Sequence, residues 1–355
     1  MSKTLKVGVI GTGGIFKKGH LPTLLEHPEL ELVALCDINE EKVQRVAAGS
    51  NVSRVFTSFE ELIAQDDLDI IDICAPNCYH AEMAIAALEA GKHVFCEKPD
   101  AITPEEAIRM SEAAKKNGRI LMCMRNNRFM PASQYLKKYI DEGLMGEIYT
   151  GRCGWLRRRG IPGLGGWFTT KAMSGGGPLI DLGVHYIDLS VWLMGNPKPI
   201  AVSAAIYNKF ASNQISDSEH SEFGEKQDNG TFDVEDLATG FIRFDNGATL
   251  QIEFSWASNV NEEHNFVEFR GTKAGSALRN GQLSIYSEAA GQLVNINPVL
   301  KASGTYTPHS EHLKHFVDCV QHRAEPINSP EHGVDMIKIL SAIYESAKRG
   351  QEVRL

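Results

Sequence analysis

The chain has 355 residues, more than a single hydrophobic core usually serves, so two domains are expected. With 43% hydrophobic and 23% charged residues, its composition is that of a globular protein rather than a disordered or membrane-embedded one. The formal net charge of −9 argues against nucleic acid or an anionic membrane as the main partner.

Over residues 1–126 apolar runs alternate with helical stretches. LKVGVIG is a strand, followed by a helix through His20 to Glu26 and by the strand ELVALCD. EEKVQRVAA (helix), RVFT (strand), FEELIAQ (helix), DIIDICAP (strand), YHAEMAIAALEAG (helix) and HVFCEK (strand) continue the pattern. TPEEAIRMSEAAKKNG starts with a Thr cap and an acidic turn and is closed by Gly118, and RILMCMRNN is the next strand. This alternation predicts a parallel sheet with helices on both faces, an α/β domain.

Residues 127–355 read differently. A helix, SQYLKKYIDEGLMGE, is followed by the strand IYTGRCGWLR and a glycine-rich loop from Gly160 to Gly177 leading into a helix that contains Asp181. Long alternating runs then dominate, and Asp245-Asn246-Gly247 between two of them is a hairpin signal. The acidic stretch 211–231 is expected to be an exposed loop. Two helices, HLKHFVDCVQHR and GVDMIKILSAIYESAKRG, close the chain, and the C-terminal one is expected to pack back on the first domain. The second domain thus combines helices with long β-rich runs.

The seven cysteines include no C-x-x-C pair and several sit in apolar runs, which suits a reducing, cytoplasmic setting. The first strand follows without a cleavable apolar segment, and the most apolar later stretch carries Asp181, His185 and Asp188, so no membrane span is expected.

In VGVIGTGGIF, Gly11 and Gly13 stand at the turn from the first strand into a helix, where backbone N–H groups can approach a pyrophosphate. Gly11, Gly13, Gly14, Ile15 and Phe16 are therefore cofactor-binding candidates, although the third fingerprint position is Phe16 instead of Gly or Ala. Asp37 ends the second strand and can accept hydrogen bonds from a ribose diol. Three carboxylates in Asp37-Ile38-Asn39-Glu40-Glu41 predict NAD rather than NADP, with Lys42 and Arg45 as the cations that could soften that preference.

Further along stand APNCYH (75–80), Glu97-Lys98-Pro99, NNRF (126–129), GEIY (146–149) and GGGPLIDLGVHYIDL (175–189). In this order they resemble the Gfo/Idh/MocA family of glucose–fructose oxidoreductases and inositol dehydrogenases, over essentially the whole chain. The resemblance implies an α/β Rossmann domain followed by an α+β domain with an open, largely antiparallel sheet, in an NAD-dependent oxidoreductase acting on a secondary alcohol of a sugar, sugar derivative or cyclitol, assembled as a homodimer or homotetramer. It implies Lys98, Asp181 and His185 as the catalytic set and a cis Lys98–Pro99 bond. It adds Ala75, Pro76, Asn77, His80, Glu97 and Lys98 to the cofactor contacts.

The chemistry is consistent with those residue types. Alcohol oxidation needs a hydride acceptor, a base and a group that stabilises alkoxide charge. Asp181 and His185 are four apart, on one helical face, and Asp188 is read as structural. Candidate substrate contacts are Arg128, Trp155, Arg157, Trp167, Asp181 and His185. Arg157-Arg158-Arg159 reads either as a lid favouring acidic groups or as a solvated run, and the two tryptophans either stack on a sugar or serve a core or subunit interface. His309, His312 and His315 share a helical face, but the expectation is no metal. Two other functions fit the same residues: transient use of bound NAD in sugar cleavage or epimerisation, and non-catalytic sugar or nucleotide sensing.

Overall fold

The computed structural model describes residues 4–212, 215–300 and 307–355. They form two compact units: residues 4–124 with 307–337, and residues 125–300 with 338–355. The division falls between Met124 and Arg125, near the expected 126, but the C-terminal segment is shared and 307–337 belongs to the first unit. Among the described residues no helix is long and apolar enough to cross a membrane.

The first unit holds six parallel strands: β1 (Leu5–Ile10), β2 (Leu30–Cys36), β3 (Arg54–Phe56), β4 (Ile70–Ile73), β5 (His93–Cys96) and β6 (Leu121–Cys123). Their order is β3-β2-β1-β4-β5-β6, which changes direction between β1 and β4, the place where doubly wound sheets bind ligands. The pairing register sets Phe56, Cys36, Ile10, Ile73, Cys96 and Cys123 in one row across the sheet. Gly11, Asp37, Cys74 and Glu97 therefore all leave the sheet at the same level. Helices cover both faces, which is why these strands read as unbroken apolar runs. The helix Pro308–Val320 is one cover, setting Leu313 and Phe316 into the core, with the Phe316 ring 5.1 Å from that of Phe95. The helix Pro104–Asn117 starts as its sequence predicts: Thr103 Oγ1 accepts the Glu106 N–H and the Glu106 carboxylate accepts the Thr103 N–H.

The second unit is built on β7 (Ile148–Leu156), β8 (Pro199–Tyr207), β9 (Leu237–Phe244), β10 (Thr249–Ser255), β11 (His264–Gly271), β12 (Gly275–Arg279), β13 (Gln282–Ala289), β14 (Gln292–Ile296) and β15 (Val353–Arg354). They form one sheet in the order β14-β13-β12-β11-β7-β10-β9-β8-β15, antiparallel except for the β7–β10 pair. The Asp245-Asn246-Gly247 turn joins β9 to β10, with Gly247 at φ +84°. One face, bearing Cys153, Ile252, Phe254 and Val267, is covered by the helical segment Leu179–Leu193. The other face is mixed rather than apolar. Arg152 and Arg279 both donate to Glu268, at 2.6 and 2.7 Å, among Thr150, Gln251 and Phe266.

Asp188 and Arg128 form a buried core of charge. Asp188 accepts from Arg125 Nε at 2.9 Å, Arg128 Nε at 2.8 Å and Arg128 Nη2 at 2.7 Å. Arg128, expected among the substrate contacts, is 1% exposed and serves this pair instead. Removing one partner strands the others without water. Asp188→Ala should cost about 3–5 kcal/mol in urea unfolding; a loss below about 1 kcal/mol would mean that the two guanidinium groups find other acceptors.

Candidate active site

The chain turns after β1 at Gly11, whose φ is +94° and where a Cβ would lie 2.5 Å from the Cys74 carbonyl oxygen. The fold itself therefore demands glycine. Gly13 differs: a Cβ there would meet nothing within 4 Å. That space lies at the head of a helix that runs from 14 to 26, where unpaired N–H groups and the helix dipole favour an anion. The residues present thus fit a dinucleotide pyrophosphate. Phe16, at the position where a small residue is usual, is wholly buried in the core, and the helix passes Phe16–His20 as a π turn.

Asp37 lies beside this turn, mostly buried. Its Oδ2 accepts the Thr12 N–H and hydroxyl, both at 2.9 Å, and its Oδ1 accepts the Asn39 N–H at 3.1 Å. Lys42 Nζ stands 3.3 Å from Oδ2. Burial opposes ionisation, yet these donors and the ammonium hold the carboxyl below its usual range. Asp37 braces the glycine turn as well as bearing on the ribose position.

Two expected cofactor contacts turn out to be internal ties. The His80 ring is fully buried, with Nδ1 2.7 Å from the Pro99 carbonyl oxygen and Nε2 2.9 Å from that of Ala75. It joins the 75–77 segment to the Lys98–Pro99 turn, whose peptide bond is cis. Glu97 is buried too. Its Oε2 accepts the Lys98 N–H at 3.1 Å, and its Oε1 lies 2.9 Å from Nε2 of His20. The other ring nitrogen of His20, Nδ1, lies 2.9 and 3.1 Å from the two oxygens of Asp72. His20 was not among the sequence candidates. Lys98 and Asn77 themselves lie at the ligand edge, Lys98 half-buried and Asn77 opening a short 3-10 turn, Asn77–Tyr79.

His20, Asp72 and Cys74 place three donor atoms within 4.8 Å of one another. Burial and the Asp72 charge push the Cys74 thiol up to about 12, away from the thiolate that a soft metal takes. The three histidines of HSEHLKH do not converge. His312 reaches Met124 and Asn328, His315 accepts the Ile327 N–H, and His309 packs against Gly19.

In the second unit, the glycine loop meets two buried partners. Glu235 accepts the Gly177 and Leu179 N–H groups at 3.0 and 3.1 Å and the Tyr344 hydroxyl at 2.9 Å, capping the helical segment that carries Asp181. A Cβ on Gly176 would strike the Tyr344 hydroxyl, and one on Gly177 the Glu235 carbonyl oxygen, so both glycines are required by close approach. Burial raises the Glu235 carboxyl against the pull of these donors. Asp181 sits in a second π turn, Leu179–Gly183, so the even 3.6-residue spacing assumed for Asp181 and His185 does not hold there. Its Oδ2 accepts the Trp256 Nε1–H at 2.9 Å. Both residues are half-buried.

The arginine run is neither uniformly solvated nor a free lid. Arg157 is 4% exposed, 4.7 Å above the Trp155 ring, with Nη1 on the Gly160 carbonyl oxygen. Glu263 stands 3.7 Å from its Nε and, with Asp181, counters the burial that lowers its pKa. Trp155 donates to Glu263 and packs edge-on against Tyr186, and Trp167 stacks on Phe168 at 3.8 Å. Residues 215–231 are mostly exposed, as expected, yet tied to the glycine loop: the Gln227 N–H donates to the Leu164 carbonyl and Thr169 Oγ1 to that of Thr231.

A dinucleotide-binding α/β unit joined to a sheet with a capped, acid-bearing helix defines an oxidoreductase architecture. Residues 5–124 match the family described as "Oxidoreductase family, NAD-binding Rossmann fold", and residues 133–276 match the "GFO/IDH/MocA C-terminal domain". The chain belongs to the Gfo/Idh/MocA family of oxidoreductases. It is 35% identical to D-glucoside 3-dehydrogenase of Escherichia coli (strain K12), covering 100% of this chain and 98% of that one. It is 31% identical to levoglucosan dehydrogenase of Pseudarthrobacter phenanthrenivorans over 75% of this chain and 71% of that protein. A solved structure of levoglucosan dehydrogenase in complex with NADH and levoglucosan is similar at a TM-score of 0.84 and 27% identity, covering 99% of each chain.

The His20 cluster carries a pH signature. The carboxylate of Asp72 and the neighbouring Cys74 outweigh burial and raise the His20 pKa well above 6.5, while His20 draws Glu97 well below 4.5 despite burial. A raised basic group stabilises the fold fully below its unfolded value and stops doing so as pH rises through its folded value; a depressed acid behaves in the opposite sense. Both contributions are therefore complete between 4.5 and 6.5. The stability advantage of the wild type over His20→Gln in urea unfolding should be largest between pH 4.5 and 6.5 and shrink as pH rises well above 6.5. A difference that does not change across this range would show His20 to be neutral.

Proposed function

We propose that this protein is an NAD-dependent dehydrogenase oxidising a secondary hydroxyl of a neutral sugar or glycoside. The observation that carries the reading is the single row of strand ends, which brings the glycine turn, Asp37 and Lys98 to one edge of the first sheet. The full-length likeness to D-glucoside 3-dehydrogenase and the NADH complexes of levoglucosan dehydrogenase support it. NAD, when bound, supplies the hydride acceptor. Gly11, Gly13, Gly14, Ile15 and Phe16 would hold its pyrophosphate at the helix head, Asp37 would take ribose hydroxyls, and Ala75, Pro76 and Asn77 would line the nicotinamide side.

Lys98 acts by charge: its ammonium favours the alkoxide that develops as the hydroxyl loses its proton. His185 accepts that proton. Asp181, held by the Trp256 N–H, orients the base and the hydroxyl. The substrate is neutral because the Arg157 cation is already flanked by Asp181 and Glu263, leaving no surplus positive charge there for an acidic sugar. By resemblance the enzyme assembles as a homodimer or homotetramer, and its cysteine usage suits the cytoplasm.

Glycosides, aldoses, inositols and sugar acids are to be compared by NADH formation. Turnover on a neutral sugar is expected, and activity on sugar acids alone would overturn the neutral-substrate reading. Lys98→Ala should lower kcat on the order of 10²-fold or more with NAD affinity within about tenfold. Retention of kcat within about threefold would remove Lys98 from the catalytic set.

NAD should be preferred over NADP. A 2′-phosphate would face the Asp37 carboxylate, a like-charge contact of about 3 kcal/mol or more, tempered by Lys42 at 3.3 Å. The ratio of kcat/KM values should exceed about tenfold, and Asp37→Ser should narrow it. Equal values for the two cofactors would mean that Asp37 serves only the glycine turn.

A further inference from the structure

His20 lies in the π turn of the helix that begins at the glycine turn, and it is 1% exposed. Both of its ring nitrogens face carboxylates: Nδ1 the two oxygens of Asp72, and Nε2 the Oε1 of Glu97 at 2.9 Å. An ionised carboxylate only accepts hydrogen bonds. A neutral imidazole would turn one lone pair onto a carboxylate oxygen in a dry interior, so the geometry calls for a proton on each nitrogen. The free oxygen of Glu97, Oε2, accepts the Lys98 N–H. A continuous chain of hydrogen bonds thus runs from Asp72 at the end of β4, through His20 on the cofactor helix, to the backbone of Lys98.

We infer that His20 is a positioning residue that, as an imidazolium, ties the dinucleotide-binding helix to the Glu97–Lys98 turn and so fixes where the Lys98 side chain starts. This rests on the reading of Lys98 as the group that acts on the hydroxyl. The charged and titratable groups around the ring are Asp72 within β4 and Cys74 just after it, Glu97 and Lys98 from the β5 edge, and His309 from the helix Pro308–Val320. One cation against Asp72 and Glu97 leaves the cluster with a surplus negative charge. Lys98 emerges beside that surplus, and the backbone tie keeps it directed. His20 thus bridges the helix, β4 and the Glu97–Lys98 turn through side-chain hydrogen bonds. A displacement of roughly 1 Å at a reacting group can cost on the order of 10²-fold in rate.

Two measurements on the full chain test this. In protein labelled with ¹⁵N-histidine at about pH 8, both His20 ring nitrogens should carry protons; a neutral tautomer with one bare nitrogen would overturn the inference without any variant. In the second, His20→Gln and Glu97→Gln are each expected to lower kcat by roughly tenfold to 10²-fold, with the KM for the sugar changed by less than about threefold. The double variant should lose no more than the worse single one, because both act through the same bond; losses that multiply would overturn it. Lys98→Ala is run in parallel. If Lys98→Ala keeps its rate, the reading of Lys98 fails, whereas the ring-nitrogen spectra still decide the ionic tie.

Discussion

A carboxylate leaves water only if its lone pairs are met by donors, and this protein buries several of them at the points where its chain changes direction. Asp37 is met by Thr12, Asn39 and Lys42 at the glycine turn. Asp72 and Glu97 are met by His20 where β4 and β5 end. Asp188 is met by two arginines, and Glu235 by the N–H groups of Gly177 and Leu179. Each carboxylate specifies a local geometry because moving it strands its partners. The segments that carry candidate functional residues are those most constrained in this way.

That constraint explains what was legible in the sequence. Features that act through the local backbone left local marks: the Gly11–Gly13 turn, the Thr103 cap, the Asn246-Gly247 hairpin and the apolar runs of parallel strands. The strand alternation indicated that Gly11, Asp37 and Lys98 share an edge, and the register agrees. Partnerships across long separations left none. His20 finds Asp72 52 residues away and Glu97 77 away, and Trp256 finds Asp181 75 away. No periodicity marks such a pair, so His20, Trp256, Glu235 and Tyr344 passed unnoticed, while Arg128 and His80 were assigned to ligands when they serve the interior. For both, the clue was position near a motif, and burial decided otherwise.

The two π turns illustrate a subtler limit. Phe16–His20 and Leu179–Gly183 each insert one extra residue into a turn of a helix that leaves a glycine-rich segment. In the sequence, the spacing of Asp181 and His185 looks the same for either helix type. In the structure, the wider turn changes which side chains share a face. At Phe16–His20 the turn carries two buried side chains, the Phe16 ring and the His20 imidazole. π turns are rare and recur at functional sites, and here both lie on helices that the family resemblance connects with cofactor or chemistry.

Burying so much charge is not the most stable choice. Replacing a buried ion pair or triad by well-packed apolar residues is often neutral or stabilising by about 1–4 kcal/mol. An apolar cluster in place of His20, Asp72 and Glu97 would pack, but it would have no preferred direction. Side chains of similar volume can slide past one another by fractions of an ångström at little cost, whereas hydrogen bonds at 2.9 Å between full charges cannot. Glu97 immediately precedes Lys98, so the direction fixed at the first is inherited by the second through one peptide unit. The same reasoning applies to Glu235, whose carboxylate orients the first turn of the segment bearing Asp181 while Trp256 orients the Asp181 carboxylate itself. In both units stability is given up where orientation is needed. Fixed dipoles and charges aimed before reaction, rather than rearranged during it, are what electrostatic stabilisation of a developing alkoxide requires.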